Sequence, residues 1–450
     1  MKTVCLLVLL LINLHGFSQK KKKQVPIKPV PVIAVVNQDS IYSAFTTEKN
    51  LAEFYRNMVF DTIQKTLSIP LTDTLAELKW QKAFIAMERI QYKSPWVSNR
   101  LHEAATSLLH TSFSFQQSFL ELMYAMYPLE FNLQVKSVLE NTEDAKSFCI
   151  AAEYLLKDSN NDRTKDYIQS VYDGKTRSDN FTALVKPLFE KMNAGPLPLP
   201  PIQKLLRASF YNAVTVVFSI QRKNRNYPGM VIVRQPNGQF YRNADNSIFH
   251  MPQLARTVTN LPYYLNNGNP PQGIYKIKAI DTTYNDLYSG PTASIELAMP
   301  YEIKVAEFSP LIKNPDFPWH IAYYRPLLPV DWQEYQPIFE SFNTGNRHHQ
   351  RVLVQGSAVN PDYYKGKPWY PLCPSLGGIT NMEKWNKTDG RRMESDQLRL
   401  VSILKKIAGA YAYYVIVELN DNQEPVSFDE LKPSIPVSYT HLTLPTILRV

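Results

Sequence analysis

Two hydrophobic periods divide this chain. From about residue 40 to 193, apolar residues recur three and four apart with few strand signals. Thr74-Leu75-Ala76-Glu77 reads as a capping box, and Trp80, Ala83, Phe84, Met87 and Ile90 follow at helical spacing. That spacing predicts a helix with one buried stripe. Similar segments run from Ser114 to Tyr127, stopped by Pro128, and from Asp144 to Leu156. At residues 194–201 four prolines fall within six residues, which excludes a continuing helix.

Beyond residue 202 the period changes to two. Ala213 to Phe218 is a β-branched run, and Met230 to Val233 is joined to Gln239, Phe240 and Tyr241 through Pro236-Asn237-Gly238, a hairpin signal. Gly273 to Lys278 alternates, Arg351 to Gln355 and Tyr411 to Glu418 read as strands, and Ser395 to Ile407 reads as an amphipathic helix. The fold class expected is therefore α+β: an all-helical domain at 40–193, a Pro-rich linker at 194–201 and a mostly β domain at 202–436.

The amino terminus adds a compartment. Met1-Lys2 precedes an apolar run from Val4 to Leu14, with small residues at Gly16 and Ser18, the pattern of a secretory signal peptide over 1–18. The run is too short to span a bilayer, and no later segment is long and apolar enough to do so. A basic, Pro-spaced stretch at 19–39, with Lys20 to Lys23, reads as an extended tether. The expected location is periplasmic or secreted.

Composition narrows the choice further. At 450 residues, 44% hydrophobic and 20% charged, with 33 Pro against 15 Gly, the chain is neither disordered nor collagenous. Its net charge of +9 is scattered apart from the lysine run, so no nucleic-acid partner is expected. After Cys5 only Cys149 and Cys373 remain, which cannot build a disulfide framework; they could pair once, but the apolar setting of Cys149 reads as a buried thiol. His102 and His110 are eight apart without close partners, so the helical region shows no metal-like spacing and no cofactor is implied.

Four ordered motifs carry a resemblance. They are Pro270-Pro271-Gln272-Gly273-Ile274-Tyr275-Lys276-Ile277, Ala322-Tyr323-Tyr324-Arg325-Pro326, Val352-Leu353-Val354-Gln355-Gly356 and Pro374-Ser375-Leu376-Gly377-Gly378-Ile379. Together they resemble the L,D-transpeptidase catalytic domain over about residues 211–434. Glu383, Trp385-Asn386 and Ser395-Asp396-Gln397 match a branch found in exported proteins of Bacteroidota-like bacteria. The resemblance implies acyl transfer between peptidoglycan stem peptides through a Cys thioester, with a His of a His-Gly strand as base and backbone donors near the Cys. It places Gly356, Ser375, Gly377, Tyr324 and Trp369 at or beside the binding site.

The two decisive positions depart from that pattern. Gly378 stands where the family's Ser-x-Gly-Cys has its Cys, and Gln355 stands where it has the His. Glycine has no nucleophile, and glutamine takes no proton near neutrality. Two rescues stay open: Cys373 as a relocated nucleophile served by His348-His349, or a misread Cys at 378. The expectation is an exported cell-wall protein that binds stem peptide or glycan without catalysis, with Tyr363 to Tyr370 as a candidate border of the groove. The alternatives are an active transpeptidase or carboxypeptidase, and an assembly module whose helical domain binds a protein. Residues 437–450 resemble a translated sequencing adapter, so native sequence is expected to stop near Pro436.

Overall fold

The apolar stripe that begins at Trp80 becomes the spine of a helical bundle in the computed structural model. The structure describes residues 41–436 apart from 196, 211–212, 284–291, 315, 348–351, 358 and 410. The signal-peptide and tether segments, His348, His349 and residues 437–450 therefore lie outside the described residues. The bundle's helices are α1 (Glu48–Asn57), α2 (Thr74–Ile90), α3 (Pro95–Ala105), α4 (Phe113–Met126), α5 (Asn132–Asn141), α6 (Ala145–Asp158), α7 (Asp162–Asp173) and α8 (Asp179–Asn193).

Trp80, Ala83, Phe84, Met87 and Ile90 are all buried on α2. Its cap is Asp73, one residue earlier than the capping-box reading, because the Asp73 carboxylate accepts from Ala76 N at 2.9 Å and leaves Thr74 as the first helical residue. Glu77 turns away from its own helix start and accepts from the Ser112 backbone N and hydroxyl. That contact ties α2 to the start of α4, where Ser112 also caps Phe115 N. Aromatic rings then interlock: Phe84 lies 5.5 Å from Phe115 and 6.0 Å from Phe119, and Phe119 lies 5.8 Å from Phe131. Such pairs contribute about 0.5–1.5 kcal/mol each beyond their burial. Cys149 is a free, buried thiol of this core.

The second half is one mixed sheet. Its strands are β1 (Thr215–Gln221), β2 (Gly229–Arg234), β3 (His250–Gln253), β4 (Gly273–Thr283), β5 (Thr292–Ala298), β6 (Val352–Gly356), β7 (Ile379–Asn381) and β10 (Ala412–Glu418), with β8 (Glu383–Trp385) and β9 (Arg392–Ser395) forming a separate pair. The order is β3-β2-β1-β10-β4-β5-β6-β7; β1 with β10 and β6 with β7 are parallel, and the other neighbours antiparallel. The predicted hairpin turn forms with Gly238 at φ +82°, where a side chain would be strained, but its return arm makes only isolated pairings such as Arg234 with Phe240.

Both sheet faces are covered, so β1 reads as a continuous apolar run although its side chains alternate. Val216, Phe218 and Ile220 enter one cluster with Tyr324, Trp332 and Tyr413. Val217 enters the other, with Tyr275, Val354, Ile379 and Leu404, under helix α10 (Asp396–Ile407); helix α9 (Glu340–Arg347) precedes it in the chain. The halves are stitched together. Leu261, Tyr264 and Leu265 insert into the helical core, Tyr264 donates to Glu153, and Lys191 pairs with the same carboxylate at 2.7 Å. No helix among the described residues is long and apolar enough to cross a membrane.

Candidate functional site

The resemblance points to the corner where β6 meets β7. Val354 pairs with Ile379 and Gln355 with Thr380, so the turn carrying Ser375, Gly377 and Gly378 leads directly into the strand beside Gln355. Ser375 shapes that turn twice over: its hydroxyl accepts from Gly378 N at 2.8 Å, and its carbonyl accepts from Val258 N. Gly378 is buried, and a β-carbon there would sit 2.4 Å from the Leu353 carbonyl oxygen. Backbone thus fills the space that a side chain at 378 would take. Gln355 is half-buried on the strand beside it and, being an amide, supplies no base.

Gly356 answers to a different demand. A β-carbon at 356 would lie 2.3 Å from the carboxyl carbon of Glu383 and 2.4 Å from the Thr292 hydroxyl. Glu383 fills that space: one oxygen accepts from Thr292 at 2.9 Å and from Ser395 at 2.8 Å, with Arg392 3.7 Å away, while the other has no hydrogen-bond partner. Burial raises its pKa. This cluster fastens the end of β6 to the β8–β9 pair.

Behind the corner runs a chain of buried amides. Gln253 accepts from Ser219 at 2.6 Å and Tyr414 at 2.8 Å, then donates to Asn381 at 2.9 Å; Asn381 donates to Gln397 at 2.6 Å, and Gln397 to the Val354 carbonyl at 2.9 Å. The polar positions of β1, β3, β7 and α10 are thereby satisfied through one another.

Cys373 does not reach the corner's surface. It is 1% exposed among Leu254, Tyr364, Trp369 and Leu372, and its thiol faces the Val359 carbonyl at 3.3 Å. Burial pushes its pKa up, the opposite of what a thiolate nucleophile needs. Its suggested partners His348 and His349 fall outside the described residues. Trp369 packs in the same cluster with the Arg256 guanidinium 4.0 Å over its ring, and Tyr364 donates to the Arg89 carbonyl at 2.9 Å. The loop expected to border a groove is thus packed down at both residues, Tyr364 onto the helical half and Trp369 within the sheet half. Tyr324 is wholly buried against β4: its hydroxyl takes the Ile274 N–H at 2.7 Å and donates to the Ile338 carbonyl at 2.9 Å. It serves the core rather than a ligand.

Open, charged space lies elsewhere. A cleft of about 660 Å³ runs between the bundle and the sheet, lined by Tyr124 and Lys191 on one side and by Lys223, Asn260, Tyr263 and Asn343 on the other. Arg225, Glu340 and Glu418 also line it. Arg225 pairs with Glu418 at 2.8 Å, and Gln272 sits between the two carboxylates, its side-chain nitrogen 3.2 Å from Glu418 and 3.5 Å from Glu340. Glu340 also accepts from Gln272 N at 2.8 Å. Burial first, and then the Glu418 charge, raise the pKa of Glu340, which stands beside the carboxylate that Arg225 pairs. Sequence reasoning missed this group; its signal was acidic residues at the end of a β-rich run and at the head of a short helix.

No family model, no curated protein and no solved structure matches the chain.

Proposed function

We propose that the chain is an exported cell-wall protein with an L,D-transpeptidase-like sheet domain that binds peptidoglycan stem peptide or glycan without transferring an acyl group. One observation carries this reading: the Leu353 carbonyl occupies the space that a side chain at 378 would need. Gln355 beside it offers no proton acceptor, and the buried Cys373 thiol supports no relocated mechanism. The polar cleft supports the binding half of the reading, since amides, aromatic rings and charges of both signs are the groups that hold a hydroxyl- and amide-rich ligand.

The test uses purified protein and muropeptides bearing tetrapeptide stems. Neither cross-linked dimers nor free D-alanine form, a carbapenem leaves no mass adduct, and insoluble peptidoglycan retains the protein in a pull-down. An adduct on Cys373 overturns the non-catalytic reading. Failure of retention overturns the binding reading and leaves a structural module.

A further inference from the structure

Beside the cleft a smaller recess carries unbalanced charge. It encloses about 260 Å³ and shares Tyr124, Lys191 and Ala194 with the cleft, so the two spaces adjoin. Three lysines line it, one from each of the last three bundle helices: Lys157 on α6, Lys165 on α7 and Lys191 on α8. Among the described residues Glu153 is the one acid in its lining. That carboxylate is 3% exposed and already committed, since both of its oxygens accept from Lys191 and one also accepts from the Tyr264 hydroxyl.

Lys157 and Lys165 are left without a carboxylate. Neutral groups hold Lys157 in place: it donates to the Tyr124 carbonyl at 2.6 Å and lies 4.2 Å over the Tyr124 ring. Asp158, next to it in the chain, accepts from Asn132 instead. Lys165 forms no ion pair with any described residue. Nearby Arg256 adds a further positive charge; it is buried and donates to the Asn226 side chain and to the Thr257 and Val258 carbonyls, with no carboxylate partner among the described residues. Burial first, and then the Arg256 charge, lower the Lys157 pKa to about 8. Tyr124 contributes a spare donor: the residue is 7% exposed, lines both spaces, and its hydroxyl has no hydrogen-bond partner among the described residues.

The ligand that answers this recess brings negative charge. Ammonium groups act as point charges that carboxylate oxygens satisfy, and a neutral sugar leaves them unmatched. A free inorganic anion would fill only a fraction of the volume. A carboxylate on a peptide can sit among the lysines while its backbone runs on into the cleft, where Asn260 and Asn343 offer amides and Tyr263 a ring.

We infer that the recess anchors a carboxylate of an acidic peptide, through Lys157, Lys165 and the Tyr124 hydroxyl, with the rest of the peptide along the cleft. On the proposed function that peptide is the stem, not the glycan. The inference rests on that reading for the identity of the peptide; the anchor itself rests on the charge of the recess.

The test titrates the full chain by isothermal calorimetry with tri-glutamate, tri-glutamine and inorganic phosphate. Tri-glutamate binds saturably, one per chain, about tenfold or more tighter than tri-glutamine, and its affinity falls as salt rises. Lys157→Met weakens tri-glutamate by about tenfold or more, and Lys157→Arg keeps most of the affinity. Lys165→Gln, on the surface of α7, weakens it by about fivefold, so a poorly folded Lys157 variant does not remove the test. Lys79→Gln, at an exposed site on α2, changes nothing. Equal binding of tri-glutamate and tri-glutamine, no binding of either, or unchanged affinity in both the Lys157→Met and Lys165→Gln chains overturns the anchor. Phosphate that binds as tightly as tri-glutamate overturns the peptide in favour of a small anion. A muropeptide with a tetrapeptide stem displaces tri-glutamate; its failure to do so overturns the stem as the source. Loss of peptidoglycan retention with tri-glutamate binding intact overturns the proposed function and leaves the anchor standing.

Discussion

The corner between β6 and β7 and the cleft between bundle and sheet use polar side chains in opposite ways. In the corner, Ser375, Thr380, Asn381 and Gln397 spend their groups on neighbouring backbone and amides, and Gly356 and Gly378 exist so that Glu383 and the Leu353 carbonyl can come close. In the cleft, Lys223 and Asn343 face solvent, and Glu340 and Glu418 line open space. The contrast teaches that residues matching a motif can serve as architecture. The residues that resemble a catalytic centre here close a strand junction, and open polar space lies where no motif marks it.

The sharpest way to break this contrast is to attack the amide chain. Asn381→Ala strands a Gln253 donor and a Gln397 acceptor in the core, at a cost of about 2–5 kcal/mol in urea unfolding. A loss under 0.5 kcal/mol would mean the corner is not tightly committed. Gly356→Ala drives a methyl into Glu383 and Thr292 and costs about 1–3 kcal/mol, with the β8–β9 pair losing amide protection from hydrogen exchange. Gly378→Cys meets backbone in the same way, at about 1–3 kcal/mol, and the new thiol gains no carbapenem adduct; a stable variant that is acylated would dissolve the contrast.

The cleft yields smaller effects. The Glu340 pKa is raised in the fold, so the stability it contributes is intact below the ordinary value of 4.5 and is lost as pH rises through the raised value. Glu340→Gln therefore flattens the decline of stability above pH 4.5, as read by unfolding at several pH values. Lys223→Ala, at an exposed site, changes stability by no more than about 0.5 kcal/mol but weakens peptidoglycan retention.

Much of the fold was readable from local pattern. The stripe through Trp80, Phe84 and Met87 and the β-branched run of β1 formed as expected, because each is decided by spacing within one element. The cap moved from Thr74 to Asp73, since both are capping residues and only tertiary packing recruits Glu77 to Ser112. The sheet order was not readable, because pairing β10 with β1 is a non-local event. At the corner, resemblance alone brought Gln355 and Gly378 together. Tyr324 and Trp369 read as binding aromatics, but neither period nor motif shows which way a ring faces. Glu88 was legible in principle, as a carboxylate on an apolar stripe; Glu340 and Glu418 were not, because their meeting depends on how α9 lies against β4, the neighbour of β10.

The central place of β10 sets a schedule for the whole sheet. Thr215 pairs with Ala412, about 200 residues later in the chain. Until the last of these strands has been made, β1 and β4 each present a bare hydrogen-bonding rim, apolar on both flanks. A chain delivered amino end first can thus complete its helical bundle early, while the sheet waits in a sticky, half-paired state. Its yield during biosynthesis will depend on how fast the remaining chain arrives and on what shields those rims meanwhile.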